Sequence, residues 1–271
     1  IKTLELTAYL NDLLHCSEFA GDASNNGLQV EACTEVKKVA FGVDASLAMF
    51  ESAVAINADL VVVHHGISWG AEPRRFNGWT GKRLEILFRN SISLYAVHLP
   101  LDAHPVIGHN AQLAKMIGLT QCEMFGHYDG VQIGVRGILS EPCTPTTLSA
   151  IYEENLSCQA GIYGNPQKAV QRIGCISGGA GREGLSAAID CGLEVLTSES
   201  CPLYVPAGIV YSTKNGYFSV RLFIAASDSE TNEILFCAPM SCIAAFGIPD
   251  VTKKLSICLS LKASADSEKD K

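Results

Sequence analysis

The chain has 271 residues, about twice the usual domain size, so two domains are expected. Hydrophobic residues make up 48% and charged residues 18%, which excludes a disordered chain, and 24 glycines with 10 prolines exclude a collagen-like or low-complexity one. The net charge of −8 argues against a broad basic face for nucleic acid or anionic lipid.

In chain order, Leu4–Leu14 has helical apolar spacing, Val36–Val43 reads as a strand and Ser46–Ile56 as a helix. Leu60–Val63 is a short, fully apolar run, as a buried parallel strand should be. Thr80–Phe88 is helical, Ile92–Val97 is the next strand, and a helix runs from about His109 to Ile117. Strands alternating with helices of 10 to 15 residues argue for an α/β sheet. A second unit is expected from near Phe125, with strands at Val131–Leu139, Val170–Ser177, Leu193–Thr197 and Phe218–Ile224. Its helices are expected at Thr146–Glu154, Arg182–Asp190 and Glu230–Ala245. The expected division is a first domain at 1–125, a second at 126–216, a return segment at 217–262 and a solvated tail at 263–271.

The longest stretch without a charged residue, Ile234–Pro249, spans 16 residues and is interrupted by Pro239, too short for a bilayer. The opening residues do not read as a signal segment. The 11 cysteines are odd in number, form no Cys-x-x-Cys pair and fall mostly in apolar stretches. They read as reduced cysteines of a cytoplasmic protein, with no spacing for a thiolate zinc site.

The segment Val61-Val62-Val63-His64-His65-Gly66 carries the sharpest chemical signal. Ligands of open α/β sheets sit beyond the carboxyl ends of strands. At a strand end, where Gly66 lets the backbone turn, two adjacent imidazoles can splay, each facing a different metal of a close pair. A hydrogen-bonded histidine pair without a ligand is the plain alternative, and the segment alone does not separate the two. The next strand ends in His98-Leu99-Pro100-Leu101-Asp102-Ala103-His104. Imidazole with carboxylate suits zinc, iron, manganese or nickel better than magnesium or calcium. For Asp102 the alternative is a helix N-cap; His104 and His109 are expected on a loop and a helix surface.

Ser177-Gly178-Gly179-Ala180-Gly181-Arg182 follows a strand and opens a helix, where backbone amides can hold an anion. No Lys-Ser or Lys-Thr closes it, so a tight turn is the favoured reading. Arg74 and Arg75 could receive a substrate phosphate or carboxylate, or simply lie on a solvated loop. There is no Gly-x-Ser-x-Gly elbow, no dinucleotide fingerprint and no cysteine marked as a nucleophile.

Asn26-Gly27-Leu28-Gln29-Val30-Glu31, His64-His65-Gly66 with Trp69-Gly70, His98-Leu99-Pro100-Leu101-Asp102-Ala103-His104-Pro105 and Gly108-His109-Asn110-Ala111 together resemble the GTP cyclohydrolase I type 2 homolog family, or Nif-three-like proteins. The match is dense from about Asp22 to Leu119 and looser through Gly178–Gly181 and Thr197–Glu199. The resemblance implies two intertwined α/β domains, with mixed sheets flanked by helices and a dinuclear metal site in the cleft between them. It implies His64, His65 and Asp102 as metal ligands, with Glu230 from the stretch Ala225–Thr231 as a fourth. It also implies a homohexamer, and the family name points to opening of the purine ring of GTP.

One departure bears on that expectation. The family's C-terminal histidine position holds Ala226, and all seven histidines lie at or before His127. A methyl group cannot ligate, so one of two divalent ions is expected to bind more weakly. Asp228 is a possible substitute ligand. Two functions follow as expectations: a metal-dependent hydrolase-like enzyme on a small, nucleotide-like substrate, with His98 as proton carrier or partner of a ligand, or a non-catalytic metal-binding or scaffold protein.

Overall fold

A computed structural model describes residues 1–70, 75–156, 158, 160–198, 219–222 and 256–257, the last two stretches by their backbone course. The expected helix Glu230–Ala245, the residues Arg74, Ala226, Asp228 and Glu230, and the tail 263–271 lie outside the described residues. The chain divides into two compact units: Ile1–His98 with Ser227–Lys271, and Leu99–Ala226.

The first unit opens with α1 (Thr3–Leu13), which buries Leu6 and Leu10 one turn apart. A 3₁₀ turn (Cys16–Phe19) leads into β1 (Gly27–Val30) and β2 (Lys38–Asp44). Helix α2 (Leu47–Ala55) starts where Ser46 Oγ accepts the Met49 N–H at 3.2 Å, an N-cap satisfying one orphan donor. Then come β3 (Leu60–His65), α3 (Gly78–Arg89) and β4 (Ser93–Ala96). Among the described residues the sheet order is β1-β4-β3-β2-β11, with β11 being Ser256–Ile257. All pairings are parallel except β1 with β4. The apolar run places β3 in the middle: Leu60 is fully buried, and Val61 and Val63 pack in one core with Phe50 and Leu87 from the helices and Leu94 from β4. Strand β1, an antiparallel edge, was not legible as a strand: Gln29 and the Asn-Gly pair before it break the apolar pattern.

The second unit begins with the five-residue α4 (Leu99–Ala103) and α5 (His109–Met116). It continues through β5 (Leu119–Tyr128), β6 (Val131–Cys143), α6 (Pro145–Leu156), β7 (Ala160–Ile162), β8 (Val170–Ile176), α7 (Gly181–Asp190), β9 (Val195–Ser198) and β10 (Ser219–Leu222). The sheet runs β5-β6-β8-β9-β10-β7 among the described residues. It is mixed: β8, β9 and β10 are parallel, and the remaining pairings antiparallel. Leu148, Tyr152, Ile173 and Val195 form its core. The fold class expected from sequence, mixed α/β with helices flanking the sheets, is the observed one. Among the described residues no helix is long and apolar enough to cross a membrane.

Candidate metal centre

The carboxyl edge of the parallel strands of the first unit gathers His64, His65 and His98. Strand β3 continues through both His64 and His65 rather than ending before them. Parallel register places Asp44, the last residue of β2, beside His65. His98 follows β4 by two residues, and its N–H is held by Asn26 Oδ1 at 2.7 Å. The ring centroids of His64 and His65 are 4.5 Å apart, those of His64 and His98 5.0 Å, and those of His65 and His98 5.7 Å. The ligand-capable atoms of these three residues lie within 4.8 Å of one another, and all three side chains are half-buried.

Each ring is oriented by an acceptor on Nδ1. His64 Nδ1 donates to the Val97 carbonyl at 2.9 Å, His65 Nδ1 to Asp44 Oδ1 at 2.7 Å, and His98 Nδ1 to Asp22 Oδ1 at 2.9 Å. A carbonyl and two carboxylates only accept, so the proton resides on Nδ1 and the lone pair on Nε2. Metal-ligating histidines are held in this way, by a carboxylate or backbone carbonyl behind the ring. The hydrogen bond from His65 keeps the Asp44 carboxyl below its ordinary range, against the burial that opposes it. Burial pushes Asp22 upward, but hydrogen bonds from His98, Asn26 and the Ser24 N–H outweigh it and hold Asp22 low as well. Both carboxylates are therefore charged at neutral pH, as partners of imidazole N–H groups should be.

The turn after the histidines is latched by one residue. Gln29 Oε1 accepts the N–H groups of Ile67 at 2.8 Å and Ser68 at 3.0 Å, while its amide nitrogen donates to the Asn25 carbonyl at 2.9 Å. Gly66 is required for space: a Cβ there would run into the Gln29 amide and the Ala96 methyl. Trp69 donates its indole N–H to the Gly66 carbonyl at 2.9 Å and meets the His98 ring edge-on at 5.1 Å. Asn26 and Gln29 were visible in sequence as motif residues without a role; the structure supplies it. Asp22 and Asp44 were missed. Asp44 directly follows the strand expected over Val36–Val43, which was its one available signal.

Asp102 lies in α4 of the second unit and caps no helix; the N-cap of α5 is Gly108. Its residue is 6% exposed. Ser177 Oγ donates to Asp102 Oδ1 at 2.7 Å, and His109 Nδ1 donates to the same oxygen at 2.8 Å. His109 is thus the first residue of α5, but its ring serves the carboxylate instead of lying idle on the helix surface. His104 sits on a loop, its Nδ1 accepting the Val106 and Ile107 N–H groups. The glycine-rich segment is a tight strand-to-helix turn, with Gly178 and Gly181 at φ of 65° and 60°. Arg75 is exposed.

An α/β chain that gathers three tautomer-fixed imidazoles at the carboxyl edge of a mostly parallel sheet has a donor set that could hold a transition-metal ion. Residues 1–200 match Duf34/NIF3 (NGG1p interacting factor 3), and the chain belongs to this family. A GTP cyclohydrolase 1 type 2 homolog of Archaeoglobus fulgidus is 42% identical over 191 residues, covering 70% of this chain and 75% of the relative. The Pyrococcus horikoshii protein of the same name is 44% identical over 178 residues, 65% and 70% of the two chains. The crystal structure of TTHA1606 from Thermus thermophilus superposes with a TM-score of 0.70 at 25% identity, covering 97% of this chain and 100% of that one.

Proposed function

We propose that this chain is a dinuclear metal-binding protein acting as a metal-dependent hydrolase-like enzyme on a small substrate. The observation that carries the reading is the cluster of three imidazoles with every Nδ1 tied to an acceptor, which presents lone-pair nitrogens without any rearrangement of the rings. His64 and His65 are assigned as ligands. Asp102 and Glu230 are assigned as carboxylate ligands from the family resemblance. When bound, divalent transition-metal ions supply Lewis acidity towards a carbonyl, ring carbon or phosphoryl group. His98 is assigned to proton transfer: Asp22 fixes its tautomer, and the Asn26 contact to its N–H fixes its place. The relatives' name, GTP cyclohydrolase 1 type 2 homolog, supports a nucleotide-like substrate. A homohexamer follows from the resemblance.

The test is metal stoichiometry of the chelator-stripped full chain reloaded with zinc or manganese. Two ions per chain are expected, with occupancy falling sharply in His64→Ala and His65→Ala. A folded wild-type chain that retains no metal would overturn the reading. If His98→Ala empties the site as completely as His65→Ala does, His98 is a ligand and its proton-transfer role falls.

A second reading, a metal-binding or scaffold protein without turnover, is favoured by Ala226 at the family's histidine position. Ala226→His is expected to raise the occupancy of the weaker ion. Unchanged occupancy would set the alignment at this position aside.

A further inference from the structure

We propose that Ser177 and His109 are positioning residues which fix the Asp102 carboxylate for metal binding, by donating together to its Oδ1. The inference rests on the assignment of Asp102 as a ligand in the reading above and goes beyond it.

Two donors from separate elements converge on one carboxylate oxygen. Both donors reach the same oxygen, Ser177 Oγ at 2.7 Å and His109 Nδ1 at 2.8 Å. Two charge-assisted hydrogen bonds at one oxygen set the plane of the carboxylate, because rotation about the Cβ–Cγ bond would break both. The carboxylate is almost buried, its side chain 9% exposed, so it gains little from water in exchange.

Each donor is itself delivered by backbone design. Ser177 directly follows β8, and its N–H is bound by Asn110 Oδ1. Asn110, fully buried, also donates to the Asp102 carbonyl at 3.2 Å and the Ile133 carbonyl at 2.6 Å. One amide thereby ties α4, β6 and the end of β8 to the helix that carries His109. Gly108 allows α5 to start hard against α4, since a Cβ there would meet the carbonyls of Leu101 and His104. The glycine-rich segment thus acquires a task other than phosphate binding: its turn presents the Ser177 hydroxyl to a carboxylate.

Simple satisfaction of a buried aspartate would give the same contacts, so the test must read the metal and not only the fold. Full-length wild type, Ser177→Ala, Ser177→Thr, His109→Ala and Asp102→Ala are titrated with cobalt(II), recording the visible spectrum, and with zinc against a chelating dye. Thermal unfolding of each variant is followed alongside. Ser177→Ala and His109→Ala are each expected to bind zinc about 10- to 100-fold more weakly with an altered cobalt spectrum. Ser177→Thr, which keeps the hydroxyl, should restore both readouts. Wild-type affinity and spectrum in the two alanine variants, while Asp102→Ala loses metal, would overturn the inference and leave Asp102 as a ligand. Wild-type binding by Asp102→Ala would instead remove the assignment beneath it. Should Ser177→Ala fail to fold, the partly exposed His109→Ala decides alone, and unchanged binding there overturns the inference.

Discussion

The two units each contain a βαβ crossover, β2-α2-β3 in the first and β8-α7-β9 in the second, and the two share a device at one end and differ at the other. In the first, Asp59 precedes β3 and its Oδ2 accepts the N–H groups of Lys37 and Lys38, both at 2.8 Å. In the second, Glu194 precedes β9 and its Oε2 accepts the N–H groups of Gln171 and Arg172, both at 2.9 Å. In each, the acid's own N–H returns to the neighbouring strand, Asp59 to the Lys38 carbonyl and Glu194 to the Arg172 carbonyl. The amino ends of the parallel strands are thus latched alike. The carboxyl ends are not: the last strand of the first crossover, β3, ends in two imidazoles, whereas that of the second, β9, ends in Thr197 and Ser198, and its first strand, β8, leads into the Ser177 hydroxyl and a glycine turn. The same scaffold carries different chemistry, and the difference is confined to the end of the sheet where ligands of such folds sit.

The glycines after β3 and β8 carry the largest expected difference between the two ends. Gly66 has no room for a side chain, whereas Gly178 has open space but a φ of 65°. Gly66→Ala is expected to cost about 1–3 kcal/mol through overpacking against Gln29 and Ala96. It should also weaken metal binding by shifting His65. Gly66→Asn should be at least as damaging. At Gly178 the demand is conformational, so alanine should cost about 1–2 kcal/mol and asparagine, which tolerates left-handed backbone, less. Urea unfolding of the four variants measures this; an asparagine that rescues at Gly66 would show that conformation and not space governs that turn.

The shared latch predicts equal, smaller effects. Asp59→Ala and Glu194→Ala each strip two backbone donors of a charged acceptor at a partly exposed site, a loss of about 1 kcal/mol by the usual worth of such bonds. Metal binding should be unchanged in both. A variant that lowers zinc affinity while leaving stability intact would show that the amino-end latch is not separate from the chemistry.

Much of this was legible in sequence, and the reason is local. The apolar run Leu60–Val63 specifies a central parallel strand by composition alone, and two histidines directly after it must lie at the sheet's carboxyl edge. The helices of both crossovers follow from spacing in the same way. What was hidden depends on contacts distant in sequence. Asp22 meets His98 across 76 residues and Ser177 meets Asp102 across 75, and no periodicity encodes such pairs. Strand β5 was hidden for another reason. It is exposed over Thr120–Glu123, and Gln121 takes a φ of 51° beside a register shift, so alternation never develops there.

The smallest expected effect reads the Glu194 latch by pH. Burial raises the Glu194 carboxyl, but the N–H groups of Arg172 and Gln171 and the charge of Arg172 outweigh it and hold the group below its ordinary value. A carboxylate lowered on folding stabilises the folded chain fully above its unfolded value, about 4.3 for glutamate, and loses that contribution as pH falls through the lower folded value. Glu194→Gln keeps one acceptor oxygen but cannot titrate. The stability gap between wild type and Glu194→Gln should therefore be flat from about pH 7 down to about pH 5 and close progressively below about pH 4. Urea midpoints across this range read it directly. A gap that stays constant down to about pH 3 would mean that the backbone N–H groups are indifferent to the charge on Glu194, and the latch would then work by shape alone.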